Sequence, residues 1–145
     1  MAPRAAIDEF LSHKKLGLLR WSSTVPVVGG RLDEELPSKG HEISVVYLQE
    51  GDPGPRLSSL TGKVDGLIVA TPKKECLQAA KEAVEAEMPR VWIQNGCQSP
   101  EGIALLEENG IPVVSKACIM MYAEPVKSVH AFHRWLAKVF GTLAE

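Results

Sequence analysis

Cysteine is scarce in this chain. The 145 residues include three, Cys76, Cys97 and Cys118. An odd, sparse set does not read as a disulfide framework, and the spacings fit no zinc motif. A reducing, cytoplasmic setting is the expectation. An excess of one charge is also lacking. A net charge of −2 leaves no electrostatic footprint for nucleic acid or an anionic membrane surface, although a local basic patch facing a small phosphorylated ligand remains compatible with it. No apolar run approaches the roughly 20 residues that span a bilayer. Asp8 and Glu9 stand where a signal peptide needs an apolar run. Internal repeats, low-complexity tracts and interdomain linkers are missing, so one domain over residues 1–145 is expected. Two nucleotide signatures are missing as well. No G-x-G-x-x-G follows the first predicted strand, and no acidic residue ends the second, which argues against a nicotinamide-dependent dehydrogenase. There is no G-x-x-x-x-G-K-[ST] loop for ATP hydrolysis.

What is present is enough for a full core: 45% hydrophobic residues beside 23% charged ones. Ile7 to Lys14 reads as a short leading helix. Leu16 to Arg20 reads as a first buried strand, followed by a polar loop, Trp21 to Pro26. A helix over Gly29 to Leu36 is stopped by Pro37, with a turn at Ser38-Lys39-Gly40. Ile43 to Leu48 is the second strand, and Glu50 to Pro55 is a turn-rich loop. Gly66 to Ala70 is a continuous apolar run of the parallel-sheet kind. Thr71-Pro72 offers an N-cap residue and then a proline at the first helical position. The helix it would start runs to about Glu87, with Leu77, Ala80, Val84 and Met88 as its core-facing stripe. Val91 to Gln94 is the fourth strand. Ser99-Pro100 opens a helix that Asn109-Gly110 closes. Ile111 to Ser115 is the fifth strand, and Pro112, lacking an amide hydrogen, makes it an edge strand or marks its start. A last helix covers about Val126 to Leu143.

Strands alternating with helices imply right-handed crossovers and a parallel sheet. The expected fold is α/β: a three-layer Rossmann-like domain with a five-stranded parallel sheet, order 3-2-1-4-5. Its strand ends converge on one rim, where such sheets bind ligands. That rim would gather Arg20 to Thr24, Leu48 to Glu50, Thr71-Pro72, Gln94 to Gly96 and Ser115 to Cys118. Ser22, Ser23 and Thr24 place three hydroxyls beside a helix start, where backbone amides and the helix dipole favour a phosphate. The competing reading is a solvated loop of capping residues. Lys73 and Lys74 lie in the first turn of a helix, where cations oppose the dipole. They read as solvated surface charges or as contacts to an anionic ligand.

Cys118 follows the fifth strand, but a nucleophile needs a base and an orienting group, and neither is legible. A small buried apolar side chain is the plainer reading. Cys97 looks more exposed by its context. His130 and His133 lie one turn apart on the last helix without further metal ligands nearby. On the same helix Val129, Phe132, Leu136, Val139, Phe140 and Leu143 form an apolar side that packs within the domain or builds a homodimer contact. No metal site and no catalytic constellation is read.

Four segments together resemble a known family. They are Val64 to Pro72, Arg90 to Gly96, Glu107 to Ile111 and Ala117 to Val126. The family is that of the small stand-alone CoA-binding domain proteins, Rossmann-like relatives of the CoA-binding domain of succinyl-CoA synthetase. The tail, with His130 and Phe132 to Trp135, resembles one bacterial branch of it. The likeness covers nearly the whole chain after about Lys14 and is strongest from Val64 onward. It implies CoA binding at the rim, with the loop after the first strand wrapping the phosphates. Ser22 matches the family's phosphate-loop serine. Arg20 replaces a glycine, Ser23 replaces a basic residue, and Tyr47-Leu48 replaces Asn-Pro at the end of the second strand. Gly29 and Gly40 keep the family spacing, and Thr71-Pro72 and Gln94-Asn95-Gly96 match the third and fourth strand ends. Glycine lets a backbone approach a diphosphate closely, whereas the Arg20 guanidinium could pair with it instead.

The resulting expectation is binding of CoA or an acyl-CoA, without catalysis. Arg20, Ser22, Ser23, Thr24 and Gly29 would lie toward the phosphates. Thr71, Pro72, Gln94, Asn95 and Gly96 would line the nucleotide or pantetheine path. The alternatives are a scaffold that has lost CoA and acts through protein association, or a thiol role in which Cys118 pairs with the CoA sulfur.

Overall fold

The structure is a computed structural model, and it describes residues 4–23 and 32–117. Thr24, Gly29, Cys118, His130, His133 and the expected last helix lie outside the described residues. Five strands carry the fold: β1 (Lys15–Arg20), β2 (Glu42–Tyr47), β3 (Gly66–Ala70), β4 (Val91–Gln94) and β5 (Val113–Ala117). They are joined with α1 (Arg4–Leu11), α2 (Leu32–Glu35), α3 (Cys76–Glu85) and α4 (Pro100–Glu108), plus short 3-10 turns at Pro37–Lys39, Leu57–Leu60 and Lys73–Glu75. All strand pairs are parallel. The doubly wound plan holds. Counted along this chain the order is β2-β1-β3-β4-β5, so the reversal falls between β1 and β3. β5 begins directly after Pro112 and lies at an edge, as a strand that starts at a proline should.

Period-two alternation divides the side chains between two cores. Leu16, Leu18, Ile68, Ala70 and Trp92 face α1 and α2 with Ile7, Phe10, Leu32 and Leu36. Leu19, Leu67, Val69, Val91 and Ile93 face the Leu57–Leu60 turn, α3 and α4. β1, β3 and β4 are buried almost end to end, whereas β2 alternates toward solvent as an edge strand does. Phe10 meets Trp92 edge to face, with ring centroids 5.3 Å apart. Such a pair adds about 0.5–1.5 kcal/mol beyond burial.

Helix ends follow local chemistry where it is strong. Ser99 caps α4, its hydroxyl accepting from Gly102 N at 3.1 Å, and Pro100 takes the first position. At the other end Gly110 N donates to Glu107 O and Ile111 N to Leu106 O, a Schellman closure around Gly110. The same closure ends α3, from Glu87 N to Val84 O and Met88 N to Ala83 O, but there the left-handed residue is Glu87, at φ 57°.

Three expectations shift. The leading helix runs Arg4–Leu11, not Ile7 to Lys14, because Ser12 turns its hydroxyl back to Glu9 O. Thr71 caps nothing: Pro72 stands at the N-cap of the 3-10 turn that precedes α3. Of the expected α3 stripe Ala80 and Met88 are buried and Val84 is half-buried against the core, but Leu77 is 37% exposed, and Cys76, Ala79 and Ala83 complete the buried face. Small residues win that face because α4 packs closely against it. A Cβ added at Gly102 would stand 2.6 Å from Cys76 Sγ.

Two outcomes follow. Glu87→Gly should raise stability by about 1 kcal/mol, since a left-handed non-glycine residue is strained by that order; a lower urea midpoint would contradict the closure. His41 is buried, and its Nδ1 lies 2.9 Å from His13 O, so Nδ1 carries the proton. Burial pushes its pKa below the ordinary 6.5; the bond to His13 O opposes this and the Lys14 charge adds to it. Neutral His41 is the form that folding favours. Its contribution is complete above pH 6.5 and is lost as pH falls from 6.5 toward the depressed value. Urea midpoints between pH 7.5 and 5 should fall more steeply for the natural chain than for His41→Gln. Parallel slopes would remove His41 from the account.

Candidate functional site

The register brings the ends of the strands to one rim. Arg20 pairs with Tyr47 on one side and Ala70 on the other, and Gln94 pairs with Ala117. The β1–β2 ladder continues beyond both strands through Leu48 N to Arg20 O at 2.9 Å and Gln49 N to Trp21 O at 2.8 Å. The chain after β2 then folds back on itself. Tyr47 N donates to Pro55 O at 2.9 Å. The Arg56 guanidinium donates to Gln49 O at 2.5 Å and Leu48 O at 3.0 Å, and pairs with Glu82 at 3.5 Å. These bonds anchor the base of the turn-rich loop predicted over Glu50 to Pro55.

The tip of that loop reaches the loop after β1. Asp52 Oδ1 accepts from Ser22 Oγ at 3.0 Å, Ser23 N at 2.8 Å and Ser23 Oγ at 3.1 Å. Asp52 Oδ2 accepts from Ser23 Oγ at 3.0 Å and Gly54 N at 2.8 Å. Ser22 is 2% exposed. Desolvation disfavours the Asp52 charge, but the donors at Ser23, Gly54 and Ser22 outweigh it and hold its pKa below the ordinary carboxylate value. The donors that sequence reasoning assigned to a phosphate thus already surround an oxyanion, and it belongs to the chain.

Arg20 is buried as well, at 3% exposure, and its guanidinium pairs with Asp33 at 3.1 Å. Neither Asp33 nor Asp52 stands out in the sequence. Asp52-Pro53-Gly54 signals a turn, but nothing in the order of residues says which neighbour the carboxylate meets. Arg56 was equally invisible, because its partners are backbone carbonyls across a loop.

The other side of the rim belongs to β3 and β4. Thr71 is wholly buried, and its Oγ1 has no hydrogen-bond partner among the described residues. A buried hydroxyl without a partner costs about 1–3 kcal/mol, so its presence needs a reason. Pro72 is half-buried and Gln94 is buried, while Asn95 and Gly96 are exposed. Cys97 N donates to Gln94 O at 2.9 Å, closing a turn in which Gly96 takes φ 91°. Gly96 N donates to Gln98 Oε1 at 2.8 Å. Beside these residues lies a groove of about 570 Å³ between the starts of α3 and α4, lined by Lys73, Lys74, Leu77, Ser99, Pro100 and Glu101. Both lysines are exposed at its lip. The structure therefore brings Arg20, Ser22 and Ser23 together at the β1 end, and Thr71, Pro72 and Gln94 to Gly96 at the β3 and β4 ends.

Cys97, expected to be more exposed by its context, is buried, as is Cys76. Burial pushes the Cys97 thiol up, and the neighbouring Cys76 adds to that. A protonated, enclosed thiol is a poor nucleophile. No cluster of three or more metal-ligating side chains occurs among the described residues, and none of their helices is long and apolar enough to cross a membrane.

Comparison with known proteins places this geometry. A conserved hypothetical protein from Pyrococcus furiosus is 32% identical, covers 73% of this chain and 96% of its own, and superposes with a TM-score of 0.60. A hypothetical protein from Pyrococcus horikoshii OT3 shares the fold at 19% identity, with 83% and 92% coverage and a TM-score of 0.66. A Thermus thermophilus protein does so at 22% identity, with 92% and 95% coverage and a TM-score of 0.55. No curated protein sequence matches the chain. The CoA binding domain family matches residues 26–124, a span from the loop after β1 to beyond β5. By that match, and by the rim its strands build, the chain belongs to the CoA binding domain family.

Proposed function

We propose that the C-terminal rim of the sheet binds CoA or an acyl-CoA, without carrying out a reaction on it. The observation that carries this reading is the family match over residues 26–124. Arg20, Ser22 and Ser23, with Thr24 and Gly29 from the segment outside the described residues, would face the phosphates. Thr71, Pro72, Gln94, Asn95 and Gly96 would line the nucleotide or pantetheine path. The buried, unpartnered Thr71 hydroxyl at the end of β3 supports the second assignment. CoA's pantetheine arm carries two amides, each able to satisfy such a group. A buried polar atom left idle in the free protein and paired in the complex favours the ligand twice, by the bond formed and by the penalty removed.

The second reading is a scaffold that has lost CoA and acts through protein association. What favours it is the β1 end of the rim, where Arg20 pairs with Asp33 and the Ser22–Ser23 donors face Asp52.

Calorimetric titration with CoA separates the two. The first reading expects heat and an upward thermal shift that grows with ligand concentration. No heat and no shift at millimolar CoA would remove it and leave the association reading. Thr71→Val tests the contact itself. The free variant should be as stable as the natural chain or more stable by about 1 kcal/mol, since an unpaired buried hydroxyl is gone. Its CoA affinity should fall by about 2- to 10-fold, the worth of one hydrogen bond. A variant that binds CoA unchanged would take Thr71 out of the site.

A further inference from the structure

We propose that Asp52 is an internal latch on the anion site. Its carboxylate occupies the Ser22–Ser23 donors that a ligand phosphate requires, and binding proceeds by displacing it. The inference rests on the phosphate-binding reading of the β1 loop and adds a regulation to it. The Ser22–Ser23 donors are two hydroxyls and one backbone amide, within 2.8–3.1 Å of the Asp52 oxygens, and Gly54 N of the latch loop itself adds a bond to Asp52 Oδ2 at 2.8 Å. The three donors of the β1 loop are neutral, so they suit a carboxylate or a phosphate alike. The two anions cannot share the cradle, because like charges at contact distance strongly repel. Occupancy by one therefore excludes the other.

The loop is built for such an exchange. Its base is fastened by Arg56 to Leu48 O and Gln49 O, and by Arg56 to Glu82. Its tip, Gly51 to Pro53, is held by the Asp52 carboxylate and by Asp52 N donating to Gln49 O at 3.2 Å. Gly51 takes φ 82°, and Gly51 and Pro53 are exposed. The tip can leave while the base and the β1–β2 ladder stay.

Apparent affinity is then the intrinsic affinity reduced by the fraction of molecules with the latch open. For an open state of about 1–10%, a common range for a minor conformer, removing the latch tightens binding by about 10- to 100-fold. Three ligands should be titrated into the natural chain, Asp52→Ala and Asp52→Asn: CoA, sodium pyrophosphate, and pantetheine, which has no phosphate. The latch expects CoA and pyrophosphate to bind Asp52→Ala about 10- to 100-fold more tightly. Asp52→Asn, which keeps an acceptor but loses the charge, should gain less, and pantetheine should not change. It also expects hydrogen exchange at the Gly54 amide of the natural chain to speed up when CoA binds.

CoA binding that is unchanged or weaker in variants whose melting shows them folded overturns the latch and leaves CoA binding standing. So does slower Gly54 exchange on binding, a readout that needs no variant to fold. Tighter pyrophosphate binding by the variants, with no CoA binding by any of the three proteins, keeps the latch and removes CoA as its ligand. No binding of either anion to any of the three proteins overturns both.

Discussion

Every strand of the sheet runs the same way, and the rest of the molecule follows from that constraint. Parallel pairing cannot be closed by tight hairpins, so each return passes over a face of the sheet. The central strands are buried on both sides as a consequence, which is why β3 and β4 read as unbroken apolar runs. The same constraint sends every strand's exit to one edge of the domain. Arg20, Tyr47, Thr71, Gln94 and Ala117 come to one rim although nearly a hundred residues separate the first from the last. Chemistry that is scattered in the chain is concentrated at this rim, and the reversal of strand order falls between β1 and β3, the place where open sheets of this kind bind ligands.

The two halves of that rim differ in how their polar groups are satisfied. At the β1 end each strong group has met its opposite: Arg20 with Asp33, and the Ser22–Ser23 donors with Asp52. At the β3 end Thr71 keeps a buried hydroxyl without a partner among the described residues. One side is electrostatically complete and the other carries an unmet hydrogen-bonding demand. A protein stable for its own sake would fill both. The contrast is between a half whose polar groups are paired within the chain and a half where one buried hydroxyl is unpaired among the described residues.

Much of the fold was legible in the residues because the signals were local. Ser99-Pro100 starts α4, Gly110 ends it and Pro112 delays β5, each through its own backbone and side-chain chemistry. The rim itself was legible too, since strand ends can be counted along a chain. The failures share a cause. α3 has two candidate apolar faces, and the one rich in leucine and valine looks better on hydropathy. Ala80 and Met88 of the expected stripe are buried, but the face is centred on Cys76, Ala79 and Ala83 and leaves Leu77 exposed, because close approach at Gly102 admits only small side chains. Cys97 was misjudged too: its turn is polar, but its own side chain belongs to the core that α3 and α4 share.

The amino-acid sequence by itself determined the class of fold, the position of the strand ends and the family to which the chain belongs. Those properties depend on periodicity, on capping residues and on short motifs, all of which are written in neighbouring positions. Only the tertiary structure decided what stands in the cradle after β1. Ser22 and Asp52 are 30 residues apart, and their meeting depends on a loop that Arg56 folds back over the end of β2 through backbone carbonyls. Hydrogen bonds to carbonyls leave no mark on residue identity at the accepting end. The sequence could therefore offer the donors, and only the folded chain could show that a carboxylate of its own meets them.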